Sequence, residues 1–226
     1  ACVVRRPGAS LDEIGLIAQR TALVNQIRGL LGEFGLVVAP GRERLEKELP
    51  ALLADPDNGL PALARETFTD LAARLRALNE RITGYDQRLQ QLARESEPAR
   101  RLMAVEGVGP VTATAVVASV GDGHEFSGGR QFAAWLGLTP RQSSSGGKTR
   151  LGGISKRGNE YLRRLFIHGA RSVLRLTGSR ADRKSRWAEA VKGRRGDNIA
   201  AVALAAKHAR ILWAMLVRGE VYQLAA

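Results

Sequence analysis

Phe68, Leu71, Leu75, Leu78, Ile82, Tyr85, Leu89 and Leu92 follow one another at alternating three- and four-residue steps, with little else apolar on the faces between. A stripe with that mean period is a helical heptad seam. Running from Pro61 to Glu97, the helix would be about 55 Å long. A two-position stripe is narrower than globular packing usually wants. The reading is therefore an antiparallel coiled-coil arm made with an earlier helix and open to pairing with a second copy; an ordinary bundle helix is the bland alternative. The earlier helix spans Ser10 to Val37, with Ser10 and Glu13 as a capping box. Its apolar face is Leu16, Leu23, Ile27, Leu30, Phe34 and Val37, interrupted by Arg20, and Gly15, Gly29, Gly32 and Gly35 weaken it. Pro40, Pro50, Pro56 and Pro61 punctuate the connection, which has room for one short helix, Arg42 to Leu53. Residues 1–97 thus read as the arm, with helices at about 10–37 and 62–97. Residues 98–226 read as a compact helical domain beginning at Pro98.

Within that domain, Arg100 to Val105 is a short helix, followed by Glu106-Gly107-Val108-Gly109-Pro110 and a second helix to Val120, stopped by Gly121. Helix, glycine turn, helix at about 100–120 is a helix-hairpin-helix pattern. Gly107 and Gly109 would expose amides at a helix start, where an anion is favoured. Such a turn grips a phosphate backbone without reading bases. Glu106 argues against close phosphate contact, and a ligand-free αα-turn is the alternative. Ser127 caps a helix over Arg130 to Leu136, with Trp135 as a core anchor. Asn159 opens a helix to about Arg175 whose inner face is Leu162, Leu165, Phe166, Gly169 and Val173, with Arg163, Arg164, Arg171 and Arg175 outside it; His168 reads as a satisfied, partly buried histidine. Gly193 and Gly196 break the basic segment after Arg180. Asn198 caps a last helix through Arg218, apolar at Ala201, Leu204, Ala205, His208, Leu212 and Met215. The fold class is mainly α.

Charge narrows the partner. The chain carries 35 Lys and Arg against 22 Asp and Glu. From Arg141 to Arg195 there are 16 basic and 3 acidic residues; outside that block, 35 − 16 = 19 basic residues meet 22 − 3 = 19 acidic ones. One block therefore holds the whole excess of +13, which is the electrostatic footprint of nucleic acid. An anionic membrane surface ranks below it, because no long basic amphipathic helix is present. No window reads as a membrane span or a signal peptide. The single cysteine, Cys2, excludes an internal disulfide framework and suits a reducing cytosol.

At the centre of the block lies a Gly/Ser/Lys-rich loop, Pro140 to Asn159, with three consecutive serines (Ser143, Ser144, Ser145), five glycines and five basic residues. Gly/Ser tracts are usually solvated linkers, but helices flank this one closely on both sides. Glycines let amides approach a ligand, and Lys148, Arg150, Lys156 and Arg157 surround the hydroxyls with positive charge. That is a cradle for phosphate and a setting in which a serine could be activated. His124, His168 and His208 are scattered, no acidic set has metal-ligand spacing, and no Walker loop is present. No cofactor or metal is expected in this chain. With no triad partner in evidence, cations and amides would have to stabilise the charge developed by a reacting serine. This points to phosphoryl transfer rather than acyl transfer.

Four stretches, TALVNQIRGLLGEFGLV, LMAVEGVGPVTATAVVASVGD, FAAWLGLTPRQSSSGGKTRLGGISKRGNEYLRRLFIHGARSVLR and AVALAAKHARILWAMLVRGE, together resemble the C-terminal part of the DEDD-type, bridge-RNA-guided transposases of bacterial insertion sequences. The resemblance implies a coiled coil followed by a transposase domain with a reactive serine. It places the serine at Ser144, with Ser145 second. Lys148, Arg150, Lys156, Arg157, Arg163 and Arg164 would hold DNA or RNA phosphates, and Gly107 and Gly109 match the family's IPGIGP-like turn, except that Glu106 replaces a proline. Ser143 and Asn159 also depart from the usual residues. The implied partners are DNA, a structured noncoding guide RNA and further copies of the chain through the coiled coil, in the bacterial cytoplasm at the nucleoid and away from membranes. In that family an N-terminal RuvC-like domain carries the acidic ligands for Mg²⁺. Here the chain opens on ACVVRRPG without an initiator Met, so the expectation is a fragment lacking that domain and inactive without it. The alternatives are a truncated, catalytically inactive nucleic-acid-binding module and, more weakly, a coiled-coil dimerisation piece.

Overall fold

The computed structural model describes the backbone of residues 8–145 and 148–223 and the side chains of residues 15–143 and 150–223. Among them are nine α-helices, a two-stranded antiparallel hairpin and a short 3₁₀ turn, so the chain is mainly helical. It divides into two compact units, residues 8–88 and residues 89 onward, with the division inside a helix.

The first unit holds α1 (Gly8–Glu33), α2 (Arg42–Ala54) and most of α3 (Ala62–Glu95). Its core joins Leu23, Val24, Ile27 and Leu31 of α1, Leu45 and Leu49 of α2, and Phe68, Leu71 and Leu75 of α3. α1 and α3 run antiparallel: the Phe34 ring meets Phe68 edge-on at 6.1 Å, and farther along Arg20 donates to Asn79 at 3.4 Å. Two expectations fail on α1. The helix begins at Gly8, upstream of the proposed Ser10 cap, and it stops at Glu33. Gly35 is left-handed (φ 76°), and the Leu36 amide reaches back to the Leu31 carbonyl at 3.0 Å, a Schellman ending. With the helix ended, Val37 is 90% exposed; Leu31 and Val24 replace Leu30 and Phe34 in the core. On α3 the stripe is buried at Phe68, Leu71, Leu75, Ile82 and Leu89, whereas Leu92 is exposed. The contribution of α2 to the core makes the packing three-sided, wider than a two-helix seam.

The second unit continues with α4 (Glu97–Leu102), α5 (Pro110–Val120), α6 (Gly129–Trp135), β1 (Pro140–Ser145), β2 (Lys148–Ile154), α7 (Glu160–Leu174), the 3₁₀ turn Thr177–Ser179, α8 (Arg183–Arg195) and α9 (Asp197–Arg218). Ser96 caps α4 by accepting the Ala99 amide. Helix α9 is the central element and packs against α4, α6, α7 and α8. Its buried face includes Ala201, Leu204, Ala205, His208, Leu212 and Met215, the face read from the sequence. α9 is long and apolar enough to cross a membrane by length and composition, contrary to the sequence reading; half of its apolar window is buried inside this unit, as suits a core helix. It starts after Gly196, leaving Asn198 inside the helix, and α8 runs straight through Gly193. Ser127 is not the cap of α6: that position is Gly128, and the Gln131 side chain instead accepts from the Ser127 amide and hydroxyl at 2.5 and 3.0 Å. Phe126, Phe132, Trp135 and Phe166 form one aromatic cluster at the base of the hairpin.

Candidate nucleic-acid interface

Residues 140–145 and 148–154 pair as an antiparallel hairpin, where the sequence reads as a loop. Gly146 and Gly147 stand between two polar strands, a two-residue glycine spacing that favours a tight β-turn; both lie outside the described residues. The ladder pairs Ser143 with Arg150, Ser144 with Thr149 and Ser145 with Lys148, and a register shift falls between Pro140 and Gln142. Below Pro140 the pairing continues without strand geometry. The Ser155 amide donates to the Thr139 carbonyl at 2.8 Å and the Lys156 amide to Gly137 at 3.2 Å. The chain then crosses Trp135 so tightly that a Cβ on Gly158 (φ 93°) would run into the Trp135 carbonyl oxygen. Asn159 caps α7 immediately afterwards, accepting the Leu162 amide at 3.0 Å. The hairpin is thus clamped at its base between α6 and α7.

Arg141, Ser143, Arg150 and Leu151 are exposed and, with Gly152, line a shallow depression of about 290 Å³ on the hairpin. Lys156, held at φ 56°, and Arg157 are exposed at its base. None of Arg141, Arg150, Lys156 and Arg157 has a carboxylate within salt-bridge distance among the described residues. The backbones of Ser144, Ser145 and Lys148 lie in the ladder; their side chains lie outside the described residues.

The glycine turn between α4 and α5 is built differently. Gly107 (φ 79°) lies against α7, where an added Cβ would sit 2.5 Å from the Gly169 carbonyl oxygen; a Cβ on Gly169 would in turn strike the Gly107 carbonyl. Two glycines are needed because two backbones touch. Glu106 accepts from Arg180 and, at 2.5 Å, from Lys184. The buried Lys184 ammonium also donates to the Tyr222 hydroxyl at 3.1 Å. Burial pushes the Lys184 pKa down, but hydrogen bonds to Glu106 and Tyr222 outweigh it, and the net shift is upward. The Gly107 position is therefore occupied by packing and the Glu106 charge by internal partners. Gly109, which precedes α5, has open space around its Cα.

Residues 99–186, from α4 to the start of α8, match the transposase IS116/IS110/IS902 family. The chain is 49% identical over 209 residues to a probable family 20 transposase of Pseudomonas aeruginosa, covering 92% of this chain and 62% of that protein. It is 47% identical over 211 residues to the transposase for insertion sequence element IS1111A of Coxiella burnetii, covering 93% and 58%. Against the transposase for insertion sequence element IS1328 of Yersinia enterocolitica the identity is 33% over 207 residues, covering 92% and 61%. The chain carries an IS116/IS110/IS902-family transposase domain. It spans about three fifths of the length of these curated relatives.

Within the transposase domain the proposed phosphate ligands separate. Arg164 is exposed on α7, in a row with His168, Arg171 and Arg175; the sequence reading had His168 partly buried. Arg163 is the correction: its side chain is buried, and its guanidinium donates to the Leu136 carbonyl at 3.1 Å, fixing the clamp beneath the hairpin. The sequence reading missed Arg141, whose place on the hairpin depends on strand pairing. Among the described residues no group of His, Cys, Asp and Glu could hold a metal ion.

Proposed function

We propose that this transposase domain contributes to DNA transposition by supplying a serine nucleophile for strand cleavage and rejoining. Ser144 is the reacting residue and Ser145 the second choice. The observation that carries the reading is the hairpin: consecutive serines share a clamped ribbon with exposed arginines that no carboxylate among the described residues neutralises. In the reaction the serine Oγ forms a bond to phosphorus as the bond from phosphorus to the leaving sugar oxygen breaks. The Oγ proton passes to a base, which this reading places elsewhere in the assembled protein. Arg150, Lys156, Arg157 and Arg164 hold the neighbouring phosphates, and Lys148 joins them at the tip. Cations fixed in place ahead of the reaction stabilise the phosphorane-like charge at little cost in reorganisation.

The described residues do not fit Mg²⁺, and no step of this chain runs through a metal. The reading assigns Mg²⁺ to a RuvC-like domain in the part of the relatives' length that this chain does not span, and target choice to a structured guide RNA. The α4–α5 pair acts as a helix-hairpin-helix, with the Gly109 end of the turn as its phosphate contact. The α1–α3 pair acts as a coiled-coil arm that joins copies; Leu78→Glu, at a half-buried position of the stripe, should lower the sedimentation coefficient with helicity retained, and unchanged assembly would remove that role.

The decisive test uses a full-length protein of this family carrying this domain. Ser144→Ala should abolish strand exchange while nucleic-acid binding persists. Strand exchange that survives in Ser144→Ala, Ser145→Ala and the double variant would remove the nucleophile and leave a binding module.

A further inference from the structure

On the domain's α8–α9 side lies a cavity of about 550 Å³ that the proposed strand chemistry does not use. Ile211, Ala214 and Met215 of α9 form one wall, and Val221 and Tyr222 of the segment after α9 form the other. Arg183 and Lys207 stand on its lining. Neither has a carboxylate within salt-bridge distance among the described residues. Lys184 also lines it, but its charge is met by Glu106, and Glu220 on the rim is paired with Arg218 at 3.5 Å. The Lys207 ammonium lies over the Trp187 ring, 4.4 Å from its centroid, and is half-buried. Partial burial, then the nearby cations Arg210, Arg183 and Lys184, lower its pKa. A lysine held in a field of other cations gains from an arriving anion.

We propose that this cavity receives one unstacked nucleotide of a single-stranded nucleic acid, with its base against the apolar walls and its phosphate on Arg183 and Lys207. The volume falls within the usual range of small-ligand sites, roughly 300 to 1,000 Å³. The lining has the two parts that such a ligand needs, an apolar and aromatic surface for the base and unpaired cations for the phosphate. A base inside a duplex is stacked and cannot enter, so the site discriminates single from double strands. This inference rests on the nucleic-acid reading of the domain and adds a second place of contact, made from a different helix pair than the hairpin.

The test is fluorescence anisotropy on the 226-residue chain with three labelled probes of equal length: a single-stranded DNA, an abasic strand of the same backbone, and a duplex. The base-bearing strand should bind about tenfold more tightly than the abasic one. Ala214→Phe, which fills the cavity without altering charge, should erase that difference and leave duplex binding unchanged. The Arg183→Ala, Lys207→Ala double variant places no bulk in the core and serves if Ala214→Phe fails to fold; it should weaken the base-bearing strand several-fold, and more than it weakens the duplex, because the seated nucleotide loses both phosphate contacts. Equal affinity of the unmodified chain for the base-bearing and abasic strands, or a double variant that weakens the duplex as much as the base-bearing strand, overturns the site. Failure to bind all three probes overturns the nucleic-acid reading itself, a different result from binding without base preference.

Discussion

The turn at residues 105–109 and the hairpin at residues 140–154 carry the same kind of sequence, glycines beside charged residues, yet they dispose of that charge in opposite ways. At the turn, Glu106 is bound by Arg180 and Lys184, and Gly107 is pressed against Gly169. On the hairpin, Arg141 and Arg150 face solvent without a carboxylate partner among the described residues. Glycine plus charge describes two physical devices, a backbone interlock and an electrostatic platform. Only the pairing of the charges tells them apart. The turn should therefore respond to variables that act on folding, and the hairpin to salt and nucleic acid.

The steric interlock gives the largest contrast. Gly169→Ala or Gly107→Ala forces a methyl group into the facing backbone, and at Gly107 also a left-handed φ of 79°. Each should cost roughly 3 kcal/mol or more. Gly153→Ala on the hairpin meets nothing within 4 Å and should stay within about 0.5 kcal/mol. Chemical denaturation curves for the three variants check this. A Gly169→Ala protein as stable as its parent would mean that the turn is not locked and its amides are free for a ligand.

Acid should act on a comparable scale, and on the same side. His208 is 1% exposed, with its Nε2 unpartnered among the described residues. Burial, then the charges of Lys184 and Lys207, depress its pKa from 6.5 to about 3. The folded chain keeps the ring neutral while the unfolded chain takes up a proton near pH 6.5. Stability is therefore full above pH 6.5 and declines as the pH falls toward 3, by something on the order of 4 kcal/mol. His208→Leu should flatten that decline in pH-dependent melts, and an unchanged slope would show that the ring is not the group responsible.

Glu106→Gln is the smaller test of the turn. It leaves the buried Lys184 ammonium without its carboxylate and should cost about 2 to 3 kcal/mol at neutral pH. The Lys184 pKa is raised above 10.5, so its pairing stabilises the fold below that pH and is lost as the pH rises through the folded-state pKa. The variant should show less of this alkaline loss than the parent, read from melts on either side of pH 10.5.

What the sequence exposed and what it hid follow the range of the forces involved. The inner faces of α7 and α9 were legible because burial there follows helical period, and Asn159 was legible as a cap because its bond spans three residues. The end of α1 was misplaced by a local event, the left-handed Gly35, which a periodic reading passes over. The hairpin reads as a loop in the sequence because its strands lack an apolar alternation; the paired glycines are the available signal. The pairing of Glu106 with Lys184 joins residues 78 apart in the chain, and the contact of Arg163 with Leu136 joins residues 27 apart. Nothing local announces either. So the sequence located the basic block, but it could not sort which of its arginines reach solvent.

Arg150 and Arg163 put that sorting to its finest test, since both were assigned to phosphate on sequence grounds. Arg150 is exposed and has no carboxylate partner among the described residues. Arg150→Ala should therefore leave melting unchanged, weaken nucleic-acid binding a few-fold at low salt, and reduce the slope of log affinity against log salt by about 1. Arg163 is 8% exposed and bonded to the Leu136 carbonyl. Arg163→Ala should do the reverse, lowering stability by about 1 to 3 kcal/mol while leaving the salt slope intact. Titrations at several salt concentrations, run beside melts, separate the two. Equal salt slopes for the parent and Arg150→Ala would mean that the hairpin's exposed charge meets no phosphate. The contrast between platform and interlock would then fail on the hairpin's side.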